Sequence, residues 1–391
     1  MMKRVDVVIA ILLCLALLGA APRHVPTADY WAGYAGTKTV PPDVAAQALT
    51  WVETDVPGSI RIRPYGVKTM MYTNPNRAQP GQPMYGEDEN EYAHNCGGTR
   101  VRAGAHYAGQ VMTNPFSEKL AAMWRHTVAR HQLTTRFDAI FNDDAVGAAY
   151  ALDQPCGYNF DEWLRGEADL QRKLGAPVIY NGLEDYYNQG VAREIVLNAS
   201  SIGGMMEECY AALHEDHRVG GWKWRVTQET ELRMAQAGKY FFCYGRDMTP
   251  ADQAYESRLY TYASFLLTYD LATSVLWEYY KTPSGGHVMP ETQLVATDPV
   301  VRSVPHINVL QTAGGAYARR YRACYIAGRS VGPCVAAVNP DESAAHSIDL
   351  SGYTRTLTLV GSGVFDGGAI RVDSVRPPST LAPLQAVIAF K

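Results

Sequence analysis

The chain has 391 residues, 47% of them hydrophobic and 19% charged, with 35 Lys and Arg against 39 Asp and Glu and a formal charge of −4. Gly (34) and Pro (22) are near ordinary usage, which excludes collagen-like and disordered chains. The charge balance offers no positive field for a phosphate backbone, so nucleic acid is not expected as a partner.

At the amino end, Lys3 and Arg4 precede an apolar run over 7–18 and the small residues Gly19, Ala20 and Ala21. That is the pattern of a secretory signal peptide, too short for a bilayer span, and it predicts a secreted or periplasmic protein with no membrane partner after signal removal. Six cysteines follow. An even number in an oxidising compartment suits disulfides. Cys324 and Cys334 flank a turn they could staple, and Cys96 and Cys156 lie in two long loops that could be tied together. Cys209 and Cys243, inside apolar runs, fit either a disulfide or buried thiols.

From about residue 28 to 280, short β-rich runs alternate with amphipathic helical stretches, as in a parallel βα fold. Strands are expected over 30–34, 67–72, 107–112, 137–142, 177–180, 201–206, 239–244 and 274–277. Helices are expected over 43–54, 117–132, 161–174, 189–197, 227–237 and 250–267, the last capped by Thr249 ahead of Pro250. The segment 74–105 has no period and is rich in Gly, Pro, Asn, Asp and Glu; Tyr85, Glu87, Glu91, His94 and Asn95 could form a lid there. After about residue 291, strands over 321–327, 335–338, 357–360, 369–372 and 386–390 alternate with turns such as Asn339-Pro340-Asp341. The organisation expected is a signal peptide over 1–21, a (β/α)8 TIM barrel over 22–290, and a small antiparallel β-sandwich domain over 291–391.

Reactive groups of such a barrel gather where strands end, so acids that terminate apolar runs are the first candidates. Asp143 and Asp144 close the fourth strand, Glu207 and Glu208 the sixth, and Glu278 the eighth. Two carboxyl groups on near-neighbour strands can flank one glycosidic bond, one protonating the departing oxygen while the other attacks the anomeric carbon or activates water. Strand alternation, judged by polarity, puts Asp144 rather than Asp143 on the barrel-facing side; it does not separate Glu207 from Glu208. Asn181, Glu184, Tyr210, Tyr244, Arg246 and Trp277 sit at or beyond other strand ends, where hydroxyl-binding groups and stacking platforms are useful. The wealth of Tyr (25) and Trp (7) against 9 Phe suits a sugar cleft.

Other motifs are set aside. His214 and His217 are three apart, whereas a zincin helix needs ligands four apart, and the acids near Glu87 lack the spacing of a calcium loop. Gly328-Arg329-Ser330-Val331-Gly332 reads as a hairpin turn and not a nucleophile elbow. Without a dinucleotide fingerprint or metal motif, no cofactor and no metal are expected.

The Phe141-Asn142-Asp143-Asp144 strand end, Ile179-Tyr180-Asn181-Gly182, Met205-Met206-Glu207 and the terminal β-domain resemble the hypothetical glycosidase-like TIM-barrel proteins. These are distantly similar to the endo-α-1,4-polygalactosaminidases and the α-galactosidase clan. The resemblance implies a catalytic carboxylate at Asp143 and an acid/base at Glu207, against the polarity argument for Asp144; strand ends often bulge and spoil simple alternation. The function expected is a secreted glycoside hydrolase acting on a poly- or oligosaccharide, with a non-catalytic carbohydrate-binding barrel as the rival reading.

Overall fold

The computed structural model describes residues 22–31, 40–82, 84–104, 109–145, 151–183, 201–212 and 218–391. The segment 1–21 expected as a signal peptide, the helix expected over 189–197, Glu184 and the segment 214–217 lie outside the described residues.

Eight parallel strands follow one another in chain order in a single sheet: β1 (Ala28–Tyr30), β2 (Trp51–Glu53), β3 (Lys68–Thr73), β4 (Ala139–Asn142), β5 (Val178–Asn181), β6 (Gly203–Glu207), β7 (Tyr240–Pro250) and β8 (Ser274–Lys281). A parallel bridge between Thr27 and Leu276, with the Leu276 N–H donating to the Pro26 carbonyl at 2.9 Å, joins β8 back to β1. The sheet thereby closes into a barrel. Its helices are α1 (Pro42–Ala45), α2 (Val56–Ile62), α3 (Glu118–Thr135), α4 (Phe160–Leu174), α5 (Gly221–Gln236) and α6 (Tyr255–Thr268). The start of α4 is set by a reciprocal capping box between Asn159 and Glu162, and Gly175 ends it in the left-handed conformation at φ 70°.

Three sequence expectations are corrected. The helix expected over 43–54 is only Pro42–Ala45, and Trp51-Val52-Glu53 is a barrel strand buried at all three positions. Three residues are too few for a period to show. The strand expected over 107–112 is not in the barrel: Val111–Met112 pairs antiparallel with Arg77–Ala78 in a separate two-stranded sheet. One missed and one surplus strand cancel, so the fourth, sixth and eighth strands keep their expected ordinals. Finally, α6 starts at Tyr255 and not after Thr249, because β7 continues to Pro250 and the Ala251 N–H still bonds to Lys281 of β8.

Beyond the barrel, β9 (Leu294–Pro299), β10 (Tyr317–Ile326), β11 (Arg329–Asn339), β13 (Arg355–Val360), β14 (Ala369–Asp373) and β16 (Gln385–Phe390) form an antiparallel sheet in the order β9-β10-β11-β16-β13-β14. A second layer consists of the short pair β12 (His346–Ser347) and β15 (Thr380–Leu381) with Ile348, Leu350 and Tyr353, packed on Val335, Ala337, Val387 and Ala389. The opposite face of the sheet packs on α6. One apolar core runs through Tyr260, Tyr262, Phe265 and Leu266 of α6 into Leu294, Tyr321, Val338, Ile388 and Phe390 of the sheet. Polar ties reinforce it: the Tyr262 and Tyr269 hydroxyls donate to the Leu294 and Ala296 carbonyls, and Arg319 donates to the Leu267 carbonyl at 2.9 Å. Arg258, fully buried, grips both oxygens of Glu291 at 2.8 and 2.6 Å and donates to the Gly361 carbonyl.

All six cysteines after residue 21 are paired: Cys96–Cys156, Cys209–Cys243 and Cys324–Cys334. The pair left open in the sequence, Cys209–Cys243, joins the end of β6 to β7. Among the described residues, no helix is long and apolar enough to cross a membrane.

Candidate active site

Side chains of a strand alternate between the barrel interior and the helices outside. The interior is packed by Ala28, Trp51, Met70, Ala139, Phe141, Ile179, Met205, Phe242, Tyr244, Val275 and Trp277. Continuing each alternation by one step toward the carboxyl end gives the ring that faces the mouth: Tyr30, Glu53, Tyr72, Asp143, Asn181, Glu207, Arg246 and Tyr279.

The contacts follow that ring. The Tyr72 hydroxyl donates to Asp143 Oδ2 at 2.8 Å, and the Asn181 side-chain amide donates to Asp143 Oδ1 at 2.7 Å. The same Asn181 nitrogen lies 3.0 Å from Glu207 Oε1, and Arg246 Nη1 lies 3.6 Å from Glu207 Oε2. Tyr30 packs on Trp277 at 4.7 Å and on Tyr279 at 6.3 Å between ring centroids. A cavity of about 570 Å³ opens beside Tyr72, between the ends of β2 and β3 and the helices α2 and α3, lined mainly by Val56, Pro57, Met71, Met84 and Phe137.

Asp143 and Glu207 are thus held on one amide nitrogen, and Asp144 is not part of the pair. The polarity argument is corrected because the narrow barrel interior is apolar and aromatic: Ala139 and Phe141 point in, while Ile140 packs toward the helices. Asp144 takes a left-handed backbone, φ 51°, and turns to the root of the long loop. There it accepts from Asn74 Nδ2 at 2.6 Å and pairs with the buried Arg77 guanidinium. Asn76 adds bonds to the Asn142 side chain at 2.9 Å and to the Asp143 carbonyl at 2.5 Å. The loop reaches the site through Asn74, Asn76 and Arg77. Tyr85 and His94 are instead engaged within the loop, by Arg100 and Glu89.

Glu208 repeats the left-handed turn at φ 51° on β6. Glu207 keeps 34% of its side-chain surface open although protein surrounds it closely, as at the base of a cleft. That desolvation pushes its carboxyl above the ordinary glutamate range, and the charges of Asp143 and Glu208 add to the shift. The Asn181 hydrogen bond and Arg246 oppose it. Burial also raises Asp144, reinforced by Asp143 and opposed by Arg77.

The other expected site residues divide. Tyr244 and Trp277 lie one layer below the ring, 4% and 0% exposed, and form its floor. Tyr210 and Glu278 lie outside the cleft. Tyr210 packs in the core beneath α5 and α6, its hydroxyl toward Glu231. Glu278 occupies the outward position on β8, fully buried, where burial and Glu291 keep its carboxyl far above the usual range. Register decides Glu278, one residue off the inward position on β8, whereas Tyr210 lies past the left-handed turn at Glu208 that ends β6. Sequence reasoning missed Tyr30, Tyr72, Asn74, Arg77 and Tyr279, although Tyr72 and Asn74 flank an expected strand end. Among the described residues, no group of three His, Cys, Asp or Glu could hold a metal ion.

No family model matches this sequence, and no curated protein matches it. Among solved structures, the chain is similar to the glycoside hydrolase domain of PelA from Pseudomonas aeruginosa, at 11% identity and a TM-score of 0.45, over 66% of this chain and 95% of that one. It is similar to Ega3 from Aspergillus fumigatus, crystallised with galactosamine, at 11% identity and 0.42, over 66% and 92%. It is also similar to a noncanonic maltogenic α-amylase, AmyB from Thermotoga neapolitana, at 10% identity and 0.43, over 94% and 98%. Likeness this distant is one of general architecture, and the barrel assignment stands on strand order and register.

Proposed function

We propose that this chain is a secreted glycoside hydrolase that cleaves O-glycosidic bonds of a poly- or oligosaccharide by paired carboxyl catalysis. Asp143 is the nucleophile and Glu207 the general acid and, in the second half-reaction, the base. The observation that carries this reading is the Asn181 amide nitrogen, 2.7 Å from one Asp143 oxygen and 3.0 Å from one Glu207 oxygen. Two oxygens on one nitrogen are separated by less than the sum of those lengths. A nearest-oxygen gap of that size supports the close carboxyl spacing of retaining enzymes, about 5 to 5.5 Å, over the about 6.5 to 9.5 Å of inverting ones.

The environments suit the division of labour. Asp143 accepts from Tyr72, from Asn181 and from the Asp144 backbone N–H, three donors that hold its oxygens in place for attack. Glu207, desolvated and beside negative charge, holds its proton longer and can deliver it to the leaving oxygen. Attack by the Asp143 carboxylate forms a glycosyl ester as the aglycone leaves with the Glu207 proton. Water, deprotonated by Glu207, then releases the sugar and regenerates both groups. The three disulfides fit export to an oxidising compartment.

The test is incubation of the mature protein with a panel of microbial exopolysaccharides and plant glycans, followed by reducing-end detection and NMR of the first-formed anomer. New reducing ends with retained configuration, absent with Glu207→Gln, are expected. Inversion would remove the nucleophile role of Asp143. Binding of a glycan without turnover would replace the enzyme by a carbohydrate-binding barrel.

A further inference from the structure

A second cavity, of about 320 Å³, lies at the seam between α5 and the C-terminal sheet. Its volume is at the lower end of small-ligand sites, about 300 Å³ and upward. One wall is Trp222, in the first turn of α5, which is 56% exposed although the two tryptophans nearest to it in sequence, Trp224 and Trp277, are buried. Around it stand Arg225, Gln311, Glu342, Ser343 and His346.

Several features make this a built site and not a surface dent. The Gly221 N–H donates to the Pro340 carbonyl at 2.8 Å, and Arg218 donates to the Leu384 carbonyl at 2.8 Å, so the helix start is fastened to the loop after β11 and its approach to the turn before β16. His346 is held by Asp341 at 3.3 Å and by the close approach of the Gly315 backbone, where a Cβ would lie 2.3 Å from the ring. Asp341 is itself occupied by the Ser343 and Ala344 N–H groups, each at 2.8 Å. The Ser343 hydroxyl also donates to Asp341 at 3.0 Å and Gln311 Nε2 to the Gly315 carbonyl at 3.3 Å, so the Arg225 guanidinium, the Glu342 carboxylate and the Gln311 amide oxygen stand around an indole face. The lining sets one cation, two carboxylates and an amide beside an apolar indole, which suits a ligand with many hydroxyls and an apolar face.

The cavity also faces the right way. β6 delivers Glu207 at the carboxyl end of the barrel, and α5 follows β6 and starts from that same end before returning along the outside. Trp222 is in the first turn, so it is on the face that carries the Asp143–Glu207 pair.

We infer that this seam is a second carbohydrate-binding site, in which Trp222 stacks on a pyranose of a polymer and Arg225, Gln311 and Glu342 take its hydroxyls, holding the chain on the face where it is cut. The C-terminal sheet then has a role in substrate capture. The inference rests on the hydrolase reading for its benefit to turnover, but binding is measurable without it.

The experiment uses full-length mature protein carrying Glu207→Gln, run in native gels containing each polysaccharide of the panel above. At least one should retard it, and adding Trp222→Ala should weaken that binding at least about tenfold, Trp222→Phe less, with unchanged circular dichroism. Gln311→Ala in the same background should weaken it as well, by a route that leaves the indole in place. In the otherwise wild-type protein, Trp222→Ala should raise KM for the polymer while leaving hydrolysis of a short oligosaccharide unchanged. Equal retardation with and without Trp222, or no retardation by any glycan, overturns the inference. Binding that depends on Trp222 in a protein that cleaves nothing would refute the hydrolase reading and keep this one.

Discussion

The ends of β4 and β6 carry the same device and use it differently. Each strand delivers an acid on the inward register, Asp143 or Glu207, and each turns sharply at the next acid, where Asp144 and Glu208 share φ 51°. At β4 the second acid is taken up by Asn74 and Arg77, so its charge is tied to the long loop and the inward acid is fixed by donors. At β6 the second acid stays within electrostatic reach of Glu207 and Arg246 and raises the proton affinity of its neighbour. One doublet therefore holds its inward acid on fixed donors and the other raises the proton affinity of its inward acid, from nearly identical backbone.

The largest effect should come from removing either inward acid. Asp143→Asn and Glu207→Gln should each lower kcat about 10³-fold or more, with the Glu207 variant losing less on substrates whose leaving group needs no proton. Equal activity of either variant with wild type would break the comparison at its root. Asp144→Ala should act on the fold, since it takes from the buried Arg77 its carboxylate partner. The expected loss is about 3 kcal/mol in denaturant unfolding, whereas Glu208→Ala should cost far less. Asn181→Ala should reduce kcat by about 10² with little change in melting temperature, because a carboxyl pair misplaced by about 1 Å loses that much.

The smallest effect concerns pH. Glu207 must be protonated to act as the acid, so activity falls as pH rises through its raised pKa. Glu208→Gln removes a repelling charge, lowers that pKa and should move the alkaline limb of kcat/KM to lower pH; Arg246→Gln should move it to higher pH. The sign for stability is the same in kind. A carboxyl whose folded pKa is raised contributes most below its unfolded value and loses that contribution as pH climbs, so Glu207→Gln should flatten the fall of melting temperature toward neutral pH.

The barrel was legible because seven of its eight strands overlap runs expected as strands, and the acids at β4 and β6 stood out because strand ends are where a barrel keeps reactive groups. Trp51–Glu53 was not legible, since its three residues owe their strand to pairing with β1 and β3 and not to any local period. Polarity misled at Asp144 because the inward face of a small barrel is packed with Phe, Trp and Met, making the apolar face the informative one. Had the inward register been taken from Phe141 and Trp277, it would have passed over Glu278 and reached Tyr279. Asn74 and Arg77 escaped because their role depends on a turn that brings segments about 70 residues apart into contact.

The apolar core shared by α6 and the C-terminal sheet bears on how the molecule can be divided. A chain stopped near residue 290 would expose Tyr260, Tyr262, Phe265 and Leu266 to water and strand Arg258 without Glu291. The sheet is better regarded as the missing half of a wall than as a wing. Heating should melt both parts in one calorimetric peak, and a barrel expressed alone should aggregate.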